Sequence, residues 1–527
     1  MDVQFNAVSQ TDSTFINPIL SGFYPDPSIC AANGKFYLIT STFSYFPGIP
    51  IFESTDLVNW KQLGHVINRK EQADFSGLNV SEGMFAPTIR FHKGTFYVIC
   101  TNISAGGNFI VTATNPSGPW SDPTWIPNIN GIDPDIFFDD DGKVYITHNG
   151  PPPNNITVHD GHRAIYMFEY DIENKTIVGD SKLLINGGTD MAKKPVWIEA
   201  PHIIKKDGFY YLICAEGGTG YNHSEVVFRS KNVFGPYESY KNNPILTQRH
   251  LQSNRTNEVT TTGHADFVKL PNGDWWSVFL GCRPYGDDLY NTGRETFLMP
   301  VAWENGWPTI VGGNNPIPLE HKKPQLPISK VLNEYTTGNF TTHDDFNGNT
   351  LDLKWNFIRT PLEKWHELHG GKLHIQPRKE SIHTKTNYSF IGRRQQHLQF
   401  EASTKLTFNP TDTFQAAGLV AFQNESHYIF IGKRLNKHGK IEVFVELTNS
   451  TTNDSKPSII ANKEIETSDL FIKIKGDKRF YSAYYKTSEK ASWILLANQI
   501  DGSILSTKTA KGFVGTYLAM YTSSNHF

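Results

Sequence analysis

The sequence predicts an all-β chain, with a β-propeller built from five repeats followed by a β-sandwich. Three observations carry this. A block of apolar strand, short polar turn, glycine and aromatic-rich strand recurs five times in the first 300 residues. After residue 344 the apolar residues alternate with polar ones at period two. No segment shows a convincing helical period.

The second halves of the repeats read GKFYLITST from Gly34, GTFYVICTN from Gly94, GKVYITHNG from Gly142, GFYYLICAE from Gly208 and GDWWSVFLG from Gly273. Their glycines are spaced 60, 48, 66 and 65 residues apart. One four-stranded blade cannot bury both faces alone, whereas a ring of blades can. Residues 1–16 are assigned to an N-terminal extension, 17–320 to the propeller, 321–343 to a Pro-rich linker and 344–527 to the sandwich. In that last region KLHIQP, HLQFEASTKLTF, HYIFIGKRL, KIEVFVEL, LFIKIKG, FYSAYYK and FVGTYLAMYT are read as antiparallel strands with one wet face.

Composition excludes several classes. Lys+Arg 49 against Asp+Glu 52 leaves a net charge of −3, with no electrostatic footprint for nucleic acid. No apolar run of about 18 residues is present to span a membrane. The N-terminus lacks the basic and apolar regions of a signal peptide, which leaves both a cytoplasmic protein and one whose leader has been removed. Cys100 and Cys214 each lie six residues after their repeat glycine, at equivalent places in non-adjacent blades, which is poor geometry for a bridge. All four cysteines are read as reduced, buried hydrophobes.

Three first halves open with a carboxylate at nearly the same register: Asp26 in YPDPS, Asp133 in IDPDI and Glu199 in WIEAPHI. Singly, each has a bland reading. Asp26 can cap its own turn, and Glu199 can pair with Lys193 or Lys194. Together they bring three acids to the rim of one channel, a pattern for acid/base chemistry. Asp133 rather than Asp135 aligns with Asp26. Glu199 follows an apolar segment, and burial raises a carboxyl pKa as a general acid requires. His264 shares the register in the fifth repeat and is read as a sugar contact or a metal ligand, against a plain structural histidine. Arg294 is read as a sugar contact that biases a nearby acid toward its charged form, against a surface pair with Glu295. Phe43, Tyr45, Phe46 and Phe85 are candidate aromatic walls for a sugar ring. The run Asp139-Asp140-Asp141-Gly142 lacks the spaced ligands of a calcium loop and is read as a hairpin turn.

The chain resembles glycoside hydrolase family 43, which covers β-xylosidases, α-L-arabinofuranosidases and related enzymes. The motifs are YPDPS (24–28), GMFAPTIRFHKGTFYV (83–98), IDPDIFFDDDGKVY (132–145), EAPHI (199–203), GHADFV (263–268) and GRETFLMPVAWENGWP (293–308). DDFNG (344–348) resembles the start of the concanavalin-like jelly roll fused to many such enzymes. The resemblance implies a five-bladed propeller and an inverting mechanism. Asp26 would be the general base, Glu199 the general acid and Asp133 the group that orients Glu199 and tunes its pKa. His264 and Arg294 would be substrate-side residues, beside the candidate aromatic walls Phe46 and Phe85. No cofactor is required, and His264 lies near a structural calcium in some members. One departure is EAPH in place of the commoner EGPH, where the methyl of Ala200 is expected to crowd the pocket. The expected substrate is an oligosaccharide or polysaccharide, with no nucleic-acid or membrane partner, and the oligomeric state is open. The leading expectation is an exo-acting glycosidase releasing terminal α-L-arabinofuranosyl or β-D-xylosyl units from hemicellulose. An endo-arabinanase of the same family and a catalytically inactive sugar-binding propeller are the competing readings.

Overall fold

The computed structural model describes residues 13–311, 315–327, 335–450 and 457–526. Five antiparallel sheets follow one another along the chain, each beginning with one sequence repeat. Blade one has strands Ser28–Ala32, Lys35–Ile39, Gly48–Ser54 and Lys61–Ile67. The innermost strands of blades two to five are Thr88–His92, Ile132–Phe138, Glu199–Lys206 and Thr260–Lys269. The repeat glycines turn the first hairpin of each blade. Asn33-Gly34, Lys93-Gly94 and Asp207-Gly208 all have positive φ and join strands across two-residue turns. That is the type I′ geometry whose twist suits a hairpin.

The blades pack face to face, and each of the five interfaces holds its own apolar cluster. Between blades one and two lie Tyr37, Ile51, Ile89 and Val98. Between blades five and one lie Val268, Leu298, Ile29 and Leu38. The N-terminal segment seals the ring. The Asn17 side chain donates to the Leu298 carbonyl and accepts from its N–H, both at 2.9 Å. Thr14–Ile16 pairs with Glu320–Lys322, so the end of the predicted extension and the start of the predicted linker form one two-stranded ribbon.

The sandwich consists of an eight-stranded sheet over a four-stranded one. Leu419, Ile431, Val445, Ile472 and Tyr481 fill the space between them. Every period-two segment named above contributes a strand. The expectation of one wet face fails in the large sheet. Strands His427–Leu435 and Ile441–Asn449 are buried on both sides, because Phe422, Phe430 and Phe444 cluster with Phe23, Phe43 and Tyr45 of the propeller. The propeller even adds a strand to that sheet, with Phe46 opposite Phe357 and Tyr45 opposite Ile358. Arg394 donates to the Phe23 carbonyl at 2.6 Å, and Arg359, wholly buried, donates to Leu78 O and to Glu425. The four cysteines are buried and free.

At the channel axis one side chain touches all the other blades. Arg90 of blade two lies 2.7 Å from Asp266 of blade five, 3.0 Å from Asp135 of blade three, 3.0 Å from His202 of blade four and 3.4 Å from Ser28 of blade one. The same ring accepts backbone N–H groups from neighbouring blades: Ile89 N–H to Ser28, Ile29 N–H to Asp266 and Ile203 N–H to Asp135. Removing one partner of a buried ion pair leaves the others uncompensated. Arg90→Met is therefore expected to cost about 3–5 kcal/mol, read as a lowered denaturation midpoint. An unchanged midpoint would mean that the axis does not need its cation.

Candidate active site

Each innermost strand enters the channel through the same irregularity. In all five blades the ladder slips by one residue at a dipeptide. These are Asp26-Pro27, Ala86-Pro87, Asp133-Pro134, Ala200-Pro201 and His264-Ala265. Four of the five second residues are proline, which has no N–H to lose from the ladder. Such bulges re-aim side chains beside functional sites. Asp26, Asp133, Ala200 and His264 sit in the left-handed region, with φ of 53, 54, 51 and 54°. For residues other than glycine this conformation costs on the order of 1–3 kcal/mol each and concentrates at functional sites.

This corrects the register read from sequence. The structural equivalent of Asp26 and Asp133 in blade four is Ala200, and Glu199 precedes it by one residue. Ala200 holds a φ that glycine adopts freely, and its side chain is buried.

Asp26 is buried and fully engaged. Arg294 donates to its Oδ1 at 2.7 Å and the Ser41 hydroxyl donates to its Oδ2 at 2.6 Å, while His264 Nδ1 lies 3.7 Å away. Burial alone would raise its pKa. The Arg294 guanidinium and the Ser41 bond outweigh that and hold it below the usual carboxylate value. Burial keeps His264 neutral, pushed down to about 3, so the positive charge beside Asp26 comes from Arg294. The alternative reading of Arg294, a surface pair with Glu295, does not hold, since Glu295 binds Arg283 instead.

Glu199 stands at the opposite extreme. Its carboxyl makes no hydrogen bond or ion pair among the described residues, and Lys193 lies against Asp190 instead. Burial, then the charges of Asp133 and Asp26, push its pKa well above the ordinary glutamate value. Asp133 lies between the two. It accepts from the Ala200 N–H at 3.2 Å and is raised to about 7 by burial and by Asp26. Asp135, its neighbour in the same motif, is committed to Arg90 and His202.

The aromatic wall differs from expectation. Phe46 is not in the pocket: its strand pairs with the sandwich and its ring packs against Phe75 in the blade-one/blade-two core. Phe85 does belong to the wall, edge-on to Phe43 at 5.3 Å. The third ring comes from the sandwich. Phe513 stacks on Phe43 at 5.8 Å and meets Phe85 at 5.9 Å, and Arg294 lies over both Phe43 and Phe513. Its N–H donates to Ser81 Oγ at 2.8 Å. The neighbouring Gly512 permits this approach, because a Cβ there would sit 2.3 Å from that same oxygen. Sequence reasoning missed Phe513, Ser41, Thr219 (which accepts from Arg294) and Arg163. Arg163 lies over the exposed ring of Trp197 and is held by Asn149. A cleft of about 580 Å³ lined by Tyr335, Asp344, Leu353 and Arg393 includes none of Asp26, Asp133 and Glu199.

A calcium ion at the axis near His264 does not fit these residues. Calcium takes six to eight oxygen ligands. Asp135 and Asp266 are instead paired with Arg90, and Asp26 with Arg294. The run Asp139–Asp141 is a hairpin turn, with Lys205 bridging Asp139 and Asp140.

A propeller whose channel mouth gathers an arginine-paired carboxylate, an unpaired carboxyl with a raised pKa and an aromatic wall has groups suited to glycoside hydrolysis. The chain belongs to glycosyl hydrolases family 43, whose family model matches residues 15–308, and it is a glycoside hydrolase. Residues 343–527 match the β-xylosidase C-terminal concanavalin A-like domain. A xylosidase/arabinosidase of Butyrivibrio fibrisolvens is 39% identical over 97% of this chain and 96% of its own. A non-reducing end α-L-arabinofuranosidase of Bacteroides ovatus is 37% identical over 98% and 93%. A crystal structure of a GH43_12 retrieved from a capybara gut metagenome superposes with a TM-score of 0.91 at 38% identity, covering 99% of this chain and 97% of that one.

Phe513→Ala tests whether the sandwich helps to form the pocket. Loss of about 1.4 kcal/mol of apolar contact is a tenfold change in binding, so KM for an aryl glycoside is expected to rise on the order of tenfold. An unchanged KM would remove Phe513 from the pocket.

Proposed function

We propose that the protein is an exo-acting, inverting glycosidase that removes terminal α-L-arabinofuranosyl or β-D-xylosyl units from hemicellulose oligosaccharides such as arabinoxylan or xyloglucan side chains. The observation that carries this is the division of the acids. Asp26 is paired with Arg294 and its pKa is lowered, whereas Glu199 is unpaired and its pKa is pushed well above the ordinary glutamate value. Two carboxyls with pKa values pushed apart are the mark of a base and an acid.

In this reading Asp26 takes a proton from water as the water attacks the anomeric carbon, and Glu199 gives its proton to the leaving oxygen. Asp133 keeps Glu199 protonated by like-charge repulsion and fixes the backbone at Ala200, next to the acid. Arg294 keeps Asp26 charged until it receives the proton. Phe43, Phe85 and Phe513 exclude water from one side of the sugar. The xylosidase and arabinofuranosidase names of the relatives support the sugar assignment. The aromatic wall contributed by the sandwich favours a closed pocket over the open groove of an endo-acting enzyme.

Aryl α-L-arabinofuranoside and aryl β-D-xyloside, assayed in parallel, test the reading. Wild type is expected to release at least one sugar. Glu199→Ala should lose on the order of 10²-fold or more on a poor leaving group, and activity surviving in that variant would refute the choice of acid. The pH profile gives a second test. The acid limb of kcat/KM reports Asp26 and should lie below the ordinary carboxylate range, because the base works only when deprotonated. The alkaline limb reports loss of the Glu199 proton. Asp133→Asn removes a like charge, lowers the Glu199 pKa and should move the alkaline limb to lower pH with the acid limb in place. An unmoved alkaline limb would separate Asp133 from Glu199.

A further inference from the structure

Far from the propeller acids, a second group of chemistry-bearing side chains sits in the sandwich. Glu446 lies on strand Ile441–Asn449, on the same face as Phe444, and is fully buried. His526, near the end of the chain, is 2% exposed and packs edge-on against Phe430 and Tyr521. His526 Nε2 lies 3.1 and 3.2 Å from the two Glu446 oxygens. His383, on the loop before strand Phe390–Arg394, is exposed, with its ring centre 5.3 Å from that of His526. One ligand atom from each of the three lies within 4.8 Å of the others.

Two tyrosines fix the buried pair from outside. Tyr428 donates its hydroxyl to Glu446 Oε1 at 2.6 Å, and the Tyr521 hydroxyl meets His526 Nδ1 at 3.0 Å. The Tyr521 oxygen also accepts the Ile382 N–H at 3.0 Å, which ties it to the residue beside His383. A ligating histidine held by a partner on its other ring nitrogen, and a ligating carboxylate that is itself hydrogen-bonded, are how metal sites orient their ligands. Two imidazoles and one carboxylate with the fourth side toward solvent form a zinc ligand set. Ligands on a zinc tetrahedron at 2.0–2.2 Å stand roughly 3.4 Å apart. The Glu446–His526 separation already meets that, and only the exposed His383 ring has to close in. The His383 ring is already drawn to this pair by a hydrogen bond to the His526 backbone, which holds the third imidazole on their open side.

We propose that His383, Glu446 and His526 bind one zinc ion, with water as the fourth ligand. The ion staples the chain's end and the 381–387 loop to the eight-stranded sheet, and takes no part in glycoside cleavage.

The test is calorimetric titration of tag-free, chelator-stripped, full-length protein with Zn²⁺, with thermal denaturation alongside. One equivalent should bind and raise the melting temperature. His383→Ala removes a ligand from the surface without opening the core. It should weaken binding by at least the tenfold that even an outer-shell partner costs and abolish the thermal shift, while hydrolysis of an aryl glycoside stays as in wild type. Co²⁺ should give the visible bands of a tetrahedral site in wild type and not in the variant. No bound equivalent, or zinc binding and a thermal shift that persist in His383→Ala, would overturn the proposal.

Discussion

The arrangement depends on a guanidinium at the propeller axis. Arg90 reaches a carboxylate, an imidazole or a hydroxyl from each of the other four blades. Those groups stand two residues beyond the positions that carry Asp26, Asp133, Ala200 and His264. A shift of Asp135 or Asp266 would therefore move the bulge that precedes it. Two buried carboxylates facing one channel would repel each other without a cation between them. With Arg90 in place they become acceptors for backbone N–H groups of adjacent blades, and the floor of the site is fixed before any substrate arrives.

On that floor the bulges aim the functional groups. In blades one, three, four and five a left-handed residue heads the strand, and in blades one to four the next residue is proline, which costs no ladder bond. Glu199 departs from this pattern by one residue and lacks the partners that the pattern provides. Asp26 gains Arg294 and Ser41, whereas Glu199 gains burial and two like charges. Two carboxyls of nearly the same intrinsic acidity are thus driven apart by their surroundings, with Asp133 between them at about 7. The sandwich adds Phe513 to the aromatic cluster and shares a sheet with the propeller, so the two domains pack as one body.

The repeats were legible because each glycine solves a local problem: the turn between the first two strands of a blade needs a positive φ, at Gly34, Gly94, Gly142, Gly208 and Gly273 alike. The acids were legible because they recur at one place in that repeat. Their one-residue offset was not, because a bulge changes the ladder without changing composition. Phe46 follows the first hairpin as Phe43 does, yet backbone pairing with Phe357 turns it into the core. Phe513 lies 219 residues from Arg294, and no local pattern links them. The double burial of the large sandwich sheet was hidden for a related reason. Its propeller-facing residues read as the half-polar face of an ordinary sheet until the partner surface is known.

In the proposed mechanism Asp26, paired with Arg294, acts on water and not on the sugar. The most direct measurement is proton NMR of the first sugar released from an aryl glycoside, recorded before the anomers equilibrate. The anomer of inverted configuration should appear first. Initial release of the retained anomer would mean a covalent glycosyl intermediate, and would contradict both Asp26 as the base and Glu199 as an acid that acts only once.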